Sequence, residues 1–193
     1  MMRRGLWVGL GIVAVLVLIV LMVFGSYVSA KNQMVQKQEA VQAQWSNVGV
    51  VLQRRADLIP NLVATVKGYA THEEKVFADV DNARQALLNA HDPQSKIQAN
   101  GQLDGALGRL LAISENYPNL KANENFLQLQ DQLEGTENRI AVERRRYNDT
   151  LRDYNTFIRQ FPNSIWAGIA GFQPNNAYFE ASESSKTAPA VKF

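Results

Sequence analysis

The chain has 193 residues, which is room for one domain of ordinary size. It contains no cysteine, and this excludes disulfide bonds and thiolate metal sites. Its formal charge of +2 comes from Arg3 and Arg4, because the rest of the chain balances 18 basic against 18 acidic residues. A nucleic-acid-binding protein normally carries a basic excess on its folded part, so we expect no nucleic-acid partner.

The first thirty residues contain a long apolar run. No charged residue occurs from Gly5 to Ala30, and Leu6–Phe24 is almost entirely aliphatic. Because a membrane-spanning helix needs about 20 apolar residues, the run predicts a transmembrane anchor that contacts lipid through residues 5–30. The alternative is a cleaved signal peptide, since Val28–Ala30 resembles a small-residue cleavage site. The apolar cores of signal peptides are shorter, at about 7–15 residues.

The charges around this run predict its orientation. Arg3 and Arg4 directly precede it, whereas Lys31 and Lys37 follow it and weaken the asymmetry. Positively charged flanks stay on the cytoplasmic side, so we expect a single-pass protein of the inner (plasma) membrane. Residues 1–30 would then be a cytoplasmic N-terminus and anchor, and residues 31–193 would be extracytoplasmic or periplasmic.

Apolar residues then recur in alternating steps of four and three, the pattern of a coiled-coil-like helix with a narrow apolar seam. The pattern predicts one long helix that ends before the turn at His91–Pro93, because the residue before a proline disfavours the helical conformation. The seam comprises Val41, Trp45, Val48, Leu52, Arg55, Ile59, Leu62, Val66, Tyr69, Glu73, Val76, Val80, Ala83 and Leu87.

Two further helices are predicted beyond the turn. A shorter one covers about Ser95–Asn116, and a second long seam runs from Phe126 to Phe161 with Asn123 as its N-cap. The expected fold is therefore all-α: an N-terminal transmembrane helix followed by an elongated antiparallel bundle of three to four helices over residues 31–163. Strand signals are missing from the sequence.

The last part of the sequence, residues 164–193, changes character. Ser164–Phe172 is apolar and rich in small residues, which predicts a short helix. A mostly extended tail should follow, in which Ser182–Ala190 has the composition of a disordered segment.

The predicted helices differ greatly in length. At 1.5 Å per residue the first would extend about 85 Å and the second about 33 Å. Part of the long seam therefore needs another partner, which is either the third helix or a second copy of the chain.

The sequence offers no constellation of catalytic or metal-binding residues. A zinc-binding HExxH motif that starts at His72 would need its second histidine at position 76, which is a valine. The arginines of ERRRYND, Glu143–Asp149, point about 100° apart on a helix, which favours a salt-bridged surface over an anion-binding stripe. We expect no enzymatic activity, no cofactor and no metal site.

The stretch RRADLIPNLV, Arg54–Val63, interrupts the first seam. Pro60 removes one helical hydrogen bond and frees the carbonyl of Ala56. Because the apolar register continues across the proline, we predict a kink within one helix. The alternative is that the helix ends there.

Arg55 occupies a seam position and would be costly to bury without a partner. We predict that it pairs with Glu137 or Glu143 on the second long helix and so fixes the register of the two helices. In the alternative, its side chain reaches out to solvent. Asp57 would orient Arg54 or cap the second half of the helix.

Seven segments in this order resemble the LemA family over Gln44–Phe193: RRADLIPNLV, VKGYATHE, NARQA, YPNLKANENFLQLQDQLEGTENRIAVERRRYND, YN, FPN and VKF. The resemblance implies a membrane-anchored extracytoplasmic helical bundle, with some relatives associated with membrane organelles and others encoded near membrane proteases. Ala56 departs from the aromatic residue or histidine expected there, and Glu143 stands where alanine is more usual.

Together these features predict a scaffold that self-assembles as a homo-oligomer on the membrane surface and organises or shapes the membrane. The alternative is an adaptor or regulator of a membrane-bound protease or another envelope protein. The residues expected to form the structural or assembly motif are Arg55, Asp57, Pro60, Asn61, Glu137, Asn138, Arg139 and Glu143.

The predicted orientation can be tested with reporter fusions. A reporter that is active only in the cytoplasm should be silent when fused after Phe193, because that end should lie outside the cytoplasm. The same reporter fused before the apolar run should be active and serves as the control. Strong activity from the C-terminal fusion would reverse the orientation.

Overall fold

A computed structural model describes residues 2–180, except for some side chains at the start of the first helix. The described residues form helices and no strands, so the prediction of an all-α fold is confirmed. The predicted disordered segment Ser182–Ala190 lies outside them. The helices are α1 (Met2–Lys67), α2 (Glu74–Asn89), α3 (Pro93–Ile113), α4 (Pro118–Lys121), α5 (Glu124–Arg159) and α6 (Asn163–Ala170), with a 3₁₀ turn at Ser114–Asn116.

The prediction of one helix that continues to Leu87 is wrong, because α1 ends at Lys67 and α2 begins at Glu74. The break falls where the seam was weakest. Gly68 follows the last helical residue, and glycine costs about 1 kcal/mol relative to alanine inside a helix. Glu73 occupies the next seam position. Because it is charged, its burial in a continuous helix would add no hydrophobic stabilisation that could prevent a turn here.

Side-chain caps define where the next helices begin. Asp92 precedes α3 and accepts a hydrogen bond from the backbone N–H of Ser95 at 2.9 Å. The hydroxyl and N–H of Ser95 both donate to Asp92 and hold the pKa of its carboxyl below the usual value. Asn123 accepts a hydrogen bond from the N–H of Phe126 at 3.0 Å, which confirms it as the N-cap of α5.

The described residues divide into two compact units, and the larger one contains Ala43–Asp149 with residues 176–180. Its core is apolar and comes from α1, α2, α3, α4 and α5. Within this unit α1 and α5 are antiparallel, since Trp45 packs against Tyr147 and Arg55 against Glu137. Its fully buried large side chains include Leu52, Ile59, Leu62, Leu87, Leu103, Leu110, Leu120, Phe126, Ile140 and Tyr147.

An aromatic cluster joins the chain after α6 to this larger unit. The ring of Phe179 lies 6.0 Å from that of Trp45 and 5.8 Å from that of Tyr147. The side chain of Asn148 donates to the Phe179 carbonyl at 2.8 Å and accepts from its N–H at 3.0 Å. Burial raises the pKa of the Tyr147 hydroxyl, so this tyrosine stays neutral at physiological pH.

The smaller unit contains the chain up to Gln42 and Thr150–Asn175. Within it, Lys37 lies over the ring of Phe157 at 5.4 Å. The side chain of Asn155 donates to the Asn175 carbonyl at 2.7 Å and accepts from its N–H at 3.0 Å. α6 ends at Ala170 and is capped by Gly171, whose positive φ of 80° is readily adopted only by glycine.

Residues of α5 pack along α1 in each unit. The seam of α1 is therefore covered by α5, which corresponds to the third predicted helix. Trp45 with Tyr147 and Lys37 with Phe157 are examples from the two units. A second copy of the chain is therefore not needed to cover the seam.

The apolar run at the start of α1 makes no comparable contacts. Its large side chains from Leu10 to Phe24 are between 48% and 71% exposed. This part of α1 is long and apolar enough to cross a membrane.

Candidate functional site

The candidate site is built around Arg55, a charged residue buried in the middle of α1. Its side chain is only 8% exposed. One guanidinium nitrogen, Nη1, donates to Asp104 and, at 3.2 Å, to the amide oxygen of Asn100. The same nitrogen lies 3.1 Å from Oε2 of Glu137. We call Arg55, Asn100, Asp104 and Glu137 the Arg55 cluster.

The predicted ion pair between Arg55 and Glu137 is present, whereas the pair with Glu143 is not. Glu143 instead accepts a hydrogen bond from Gln44 at 2.6 Å and pairs with Arg146 at 3.0 Å. The alternative in which Arg55 reaches solvent is wrong, because its side chain is buried. The 3.1 Å contact with Glu137 is an ion pair without well-aligned hydrogen-bond geometry.

Asn100 and Asp104, both on α3, were not predicted to contact Arg55. Asn100 is 1% exposed and donates to Asp104 at 3.1 Å. The sequence did hold a signal for it. Counting back three residues from Leu103, the first leucine of that helix, places Asn100 in the buried seam, where a polar side chain needs a partner.

The charges of the cluster neutralise one another. Asp104 also lies 3.9 Å from Arg144, so two arginines face two carboxylates. The guanidinium is buried, whereas Asp104 and Glu137 are 40% and 43% exposed. Removing a carboxylate would leave the buried guanidinium with less compensation, which is costly. The guanidinium therefore binds side chains of α3 and α5, and these contacts fix the register of α1, α3 and α5.

Pro60 lies inside α1, so the helix does not end there and the alternative of a helix end is wrong. The freed carbonyl of Ala56 accepts a hydrogen bond from Nε of Arg84 on α2, at 2.8 Å. Ala56 is fully buried. Arg84 was not predicted as a site residue, although it lies in the NARQA segment. It satisfies the carbonyl that proline leaves without a helical donor.

Several predicted motif residues lie on the surface. Asp57 accepts a hydrogen bond from Gln53 at 2.8 Å, so it neither orients Arg54 nor caps a half-helix in the described structure. Asn61 is exposed, and its carbonyl accepts from the Thr65 hydroxyl at 2.8 Å. The remaining exposed members of the predicted motif are Pro60 on α1 and Asn138 and Arg139 on α5.

A groove of about 620 Å³ opens beside Pro60, between α1 and α2. Pro60, Val63 and Ala64 form one wall, and Phe77 and Ala78 form the other. Lys67 lies over the Phe77 ring at 5.3 Å. The remaining charged residues of its lining are Glu74, Asp81 and Arg84, so the groove carries both signs of charge.

The comparison with known families decides the relationship. The LemA family model matches residues 44–193, which is most of the chain and includes the Arg55 cluster. The chain belongs to the LemA family. The LemA match ends at Phe193 and begins at Gln44, so it excludes the apolar run of α1.

Individual LemA-family relatives are distant in sequence. The magnetosome protein MamQ of Magnetospirillum gryphiswaldense is 28% identical over 168 residues, covering 74% of this chain and 62% of MamQ. MamQ 2 of Paramagnetospirillum magneticum is 28% identical over 182 residues, covering 81% and 66%. The protein LemA of Metamycoplasma hominis is 28% identical over 158 residues, covering 81% and 72%. The chain spans less than two thirds of the length of the two MamQ proteins.

The role of Arg55 can be tested by charge reversal. Arg55→Glu should lower the free energy of unfolding, because it places three carboxylates together. Glu137→Arg in the same chain should restore part of the loss, with a coupling of about 0.5–3 kcal/mol. Denaturation of the full-length protein in mild detergent, followed by circular dichroism, measures both. Glu143→Arg is the matched control on α5 and should restore nothing; equal rescue by both would refute the assignment.

A second cycle tests the bond between Arg84 and the Ala56 carbonyl. Arg84→Met should cost about 1–3 kcal/mol, because it leaves a buried carbonyl unpaired. In a Pro60→Ala chain the new N–H can bond that carbonyl, so Arg84→Met should then cost less. Arg109→Met removes an exposed pair with Asp79 and should change little in either background. Equal costs of Arg84→Met in both backgrounds would rule out the exchange of donors.

Proposed function

We propose that the protein is a membrane-anchored extracytoplasmic helical scaffold, not an enzyme, which self-assembles on the membrane surface and organises or shapes the membrane. The observation that carries the proposal is the exposed apolar run of α1. Its side chains from Leu10 to Phe24 are about half exposed or more, and lipid is the environment that removes such a surface from water.

The anchor and the Arg55 cluster lie on the same helix, because α1 continues without a turn from Met2 to Lys67. A helix that begins as an anchor and continues into a packed core suits a structural role. The charges of the Arg55 cluster also favour a structural role, because they pair with one another. The relatives named magnetosome proteins are consistent with a part in organising a subcellular structure.

Self-assembly is supported by the groove between α1 and α2. A two-fold interface places the same surface of both copies together, so it must be complementary to itself. The groove carries charges of both signs, because Lys67 and Arg84 line it together with Glu74 and Asp81, and this favours pairing with a second copy. Ala64 and Ala78 are small and exposed, which allows a second helix to approach closely.

The alternative, an adaptor for a membrane-bound protease or another envelope protein, is favoured by a different groove. It lies between α3 and α5 and has a volume of about 430 Å³. Leu107, Leu111 and Leu133 make its lining apolar, and Asp131 and Glu134 add negative charge. A basic, apolar segment of another protein would fit such a surface.

The mass of the full-length protein in mild detergent separates the two proposals. Light scattering should give a discrete particle of several copies of the chain. Ala78→Arg should reduce that mass, because it fills the groove between α1 and α2 with a charged side chain. Ala141→Arg, at an exposed alanine of α5, is the matched control and should leave the mass unchanged. A monomer of the unmodified chain would favour the adaptor.

A further inference from the structure

The short helix α6 exposes an apolar stripe. Ile165 and Ile169 are 50% and 66% exposed and stand one helical turn apart on the same side. Phe161, four residues before Ile165, is 82% exposed. The opposite side of the helix is packed, with Ala167 only 4% exposed. α6 therefore has one face against the protein and one apolar face without a protein partner in the described structure.

The position of α6 along α1 is fixed by an aromatic contact. Trp166 packs edge-on against Tyr27, with ring centroids 5.7 Å apart. Tyr27 follows the last residue of the apolar run, Phe24, by three positions, which is about 4.5 Å along the helix axis. α6 consequently lies at the level where α1 would leave the hydrocarbon core of a bilayer.

The composition of the chain around α6 suits a position at the surface of the hydrocarbon core. No charged residue occurs from Gln160 to Asn175. Two exposed basic residues lie close by in the sequence: Lys31, four residues after Tyr27 on α1, and Arg159, directly before Gln160. Tryptophan and tyrosine favour the membrane interface, where their rings meet both acyl chains and water.

We propose that α6, together with Phe161, inserts its apolar face into the headgroup–acyl boundary of the bilayer and forms a second membrane contact besides the α1 anchor. Helices of this kind lie in the plane of the interface, buried about 5–10 Å below the headgroups. The proposal rests on the anchoring of α1 in the membrane. The occupant of the stripe is lipid and not a second copy, because α6 lies beside the end of the apolar run, through its contact with Tyr27 three positions after Phe24.

The chain contains no cysteine, so single cysteines can carry a fluorescent label. The full-length protein would be reconstituted into vesicles of phosphatidylcholine and phosphatidylglycerol, with an environment-sensitive label at Ile165→Cys or Ile169→Cys. Phosphatidylcholine brominated on its acyl chains then serves as the quencher. Val50→Cys is the matched control, since Val50 is an exposed aliphatic residue, comparable to Ile169, that lies 26 positions after Phe24.

Labels at Ile165 and Ile169 should be quenched several-fold more strongly than the label at Val50. A label at Leu16, inside the apolar run, reports on the anchor itself. Quenching at Leu16 without quenching at Ile165 and Ile169 would overturn the α6 contact and leave the anchor intact. A blue-shifted but unquenched label on α6 would also overturn it, in favour of a contact with another protein copy. A lack of quenching at Leu16 would overturn the anchoring and this proposal with it.

Discussion

The buried guanidinium of Arg55 is the constraint on which the larger unit depends. A cation in an apolar seam must have acceptors within reach, and here they come from α3 and α5. Apolar seams of regular helices can slide by a turn with little change in buried area, whereas a charge pair cannot. A residue that adds little net stability can therefore decide which packing is formed.

The proline of the motif imposes a second, independent requirement. It removes a helical donor, and the carbonyl it frees belongs to Ala56, which is fully buried. Arg84 of α2 supplies the missing donor at 2.8 Å. Pro60 thus creates a specific docking point for α2 on α1. Ala56 positions α2, and Arg55 positions α3 and α5. Because the two residues are adjacent, one turn of α1 positions the other three helices.

In the smaller unit, two apolar surfaces are exposed at adjoining levels of α1: the run that ends at Phe24 and the stripe on α6. The contact between Tyr27 and Trp166 joins them. A transmembrane helix alone leaves rotation about its own axis unspecified. A second contact in the plane of the interface would restrict that rotation and present the same side of the protein to the membrane surface.

The sequence by itself determined the helical class, the apolar run, the N-cap Asn123 and most buried positions of both seams, because these depend on local periodicity and on local hydrogen bonds. Two seam positions were wrong, since Tyr69 and Phe161 are exposed. It also predicted that Arg55 needs a carboxylate. Only the tertiary structure decided that Asp104 and Asn100 would share this role with Glu137, and that Glu143 would not. The end of α1 at Lys67 was missed, because the spacing of four and three resumes with apolar residues at Val76 although the helix is interrupted between Lys67 and Glu74. Side-chain pairing between helices depends on their rotation and offset, which are set by the packing of the whole core and not by any one segment.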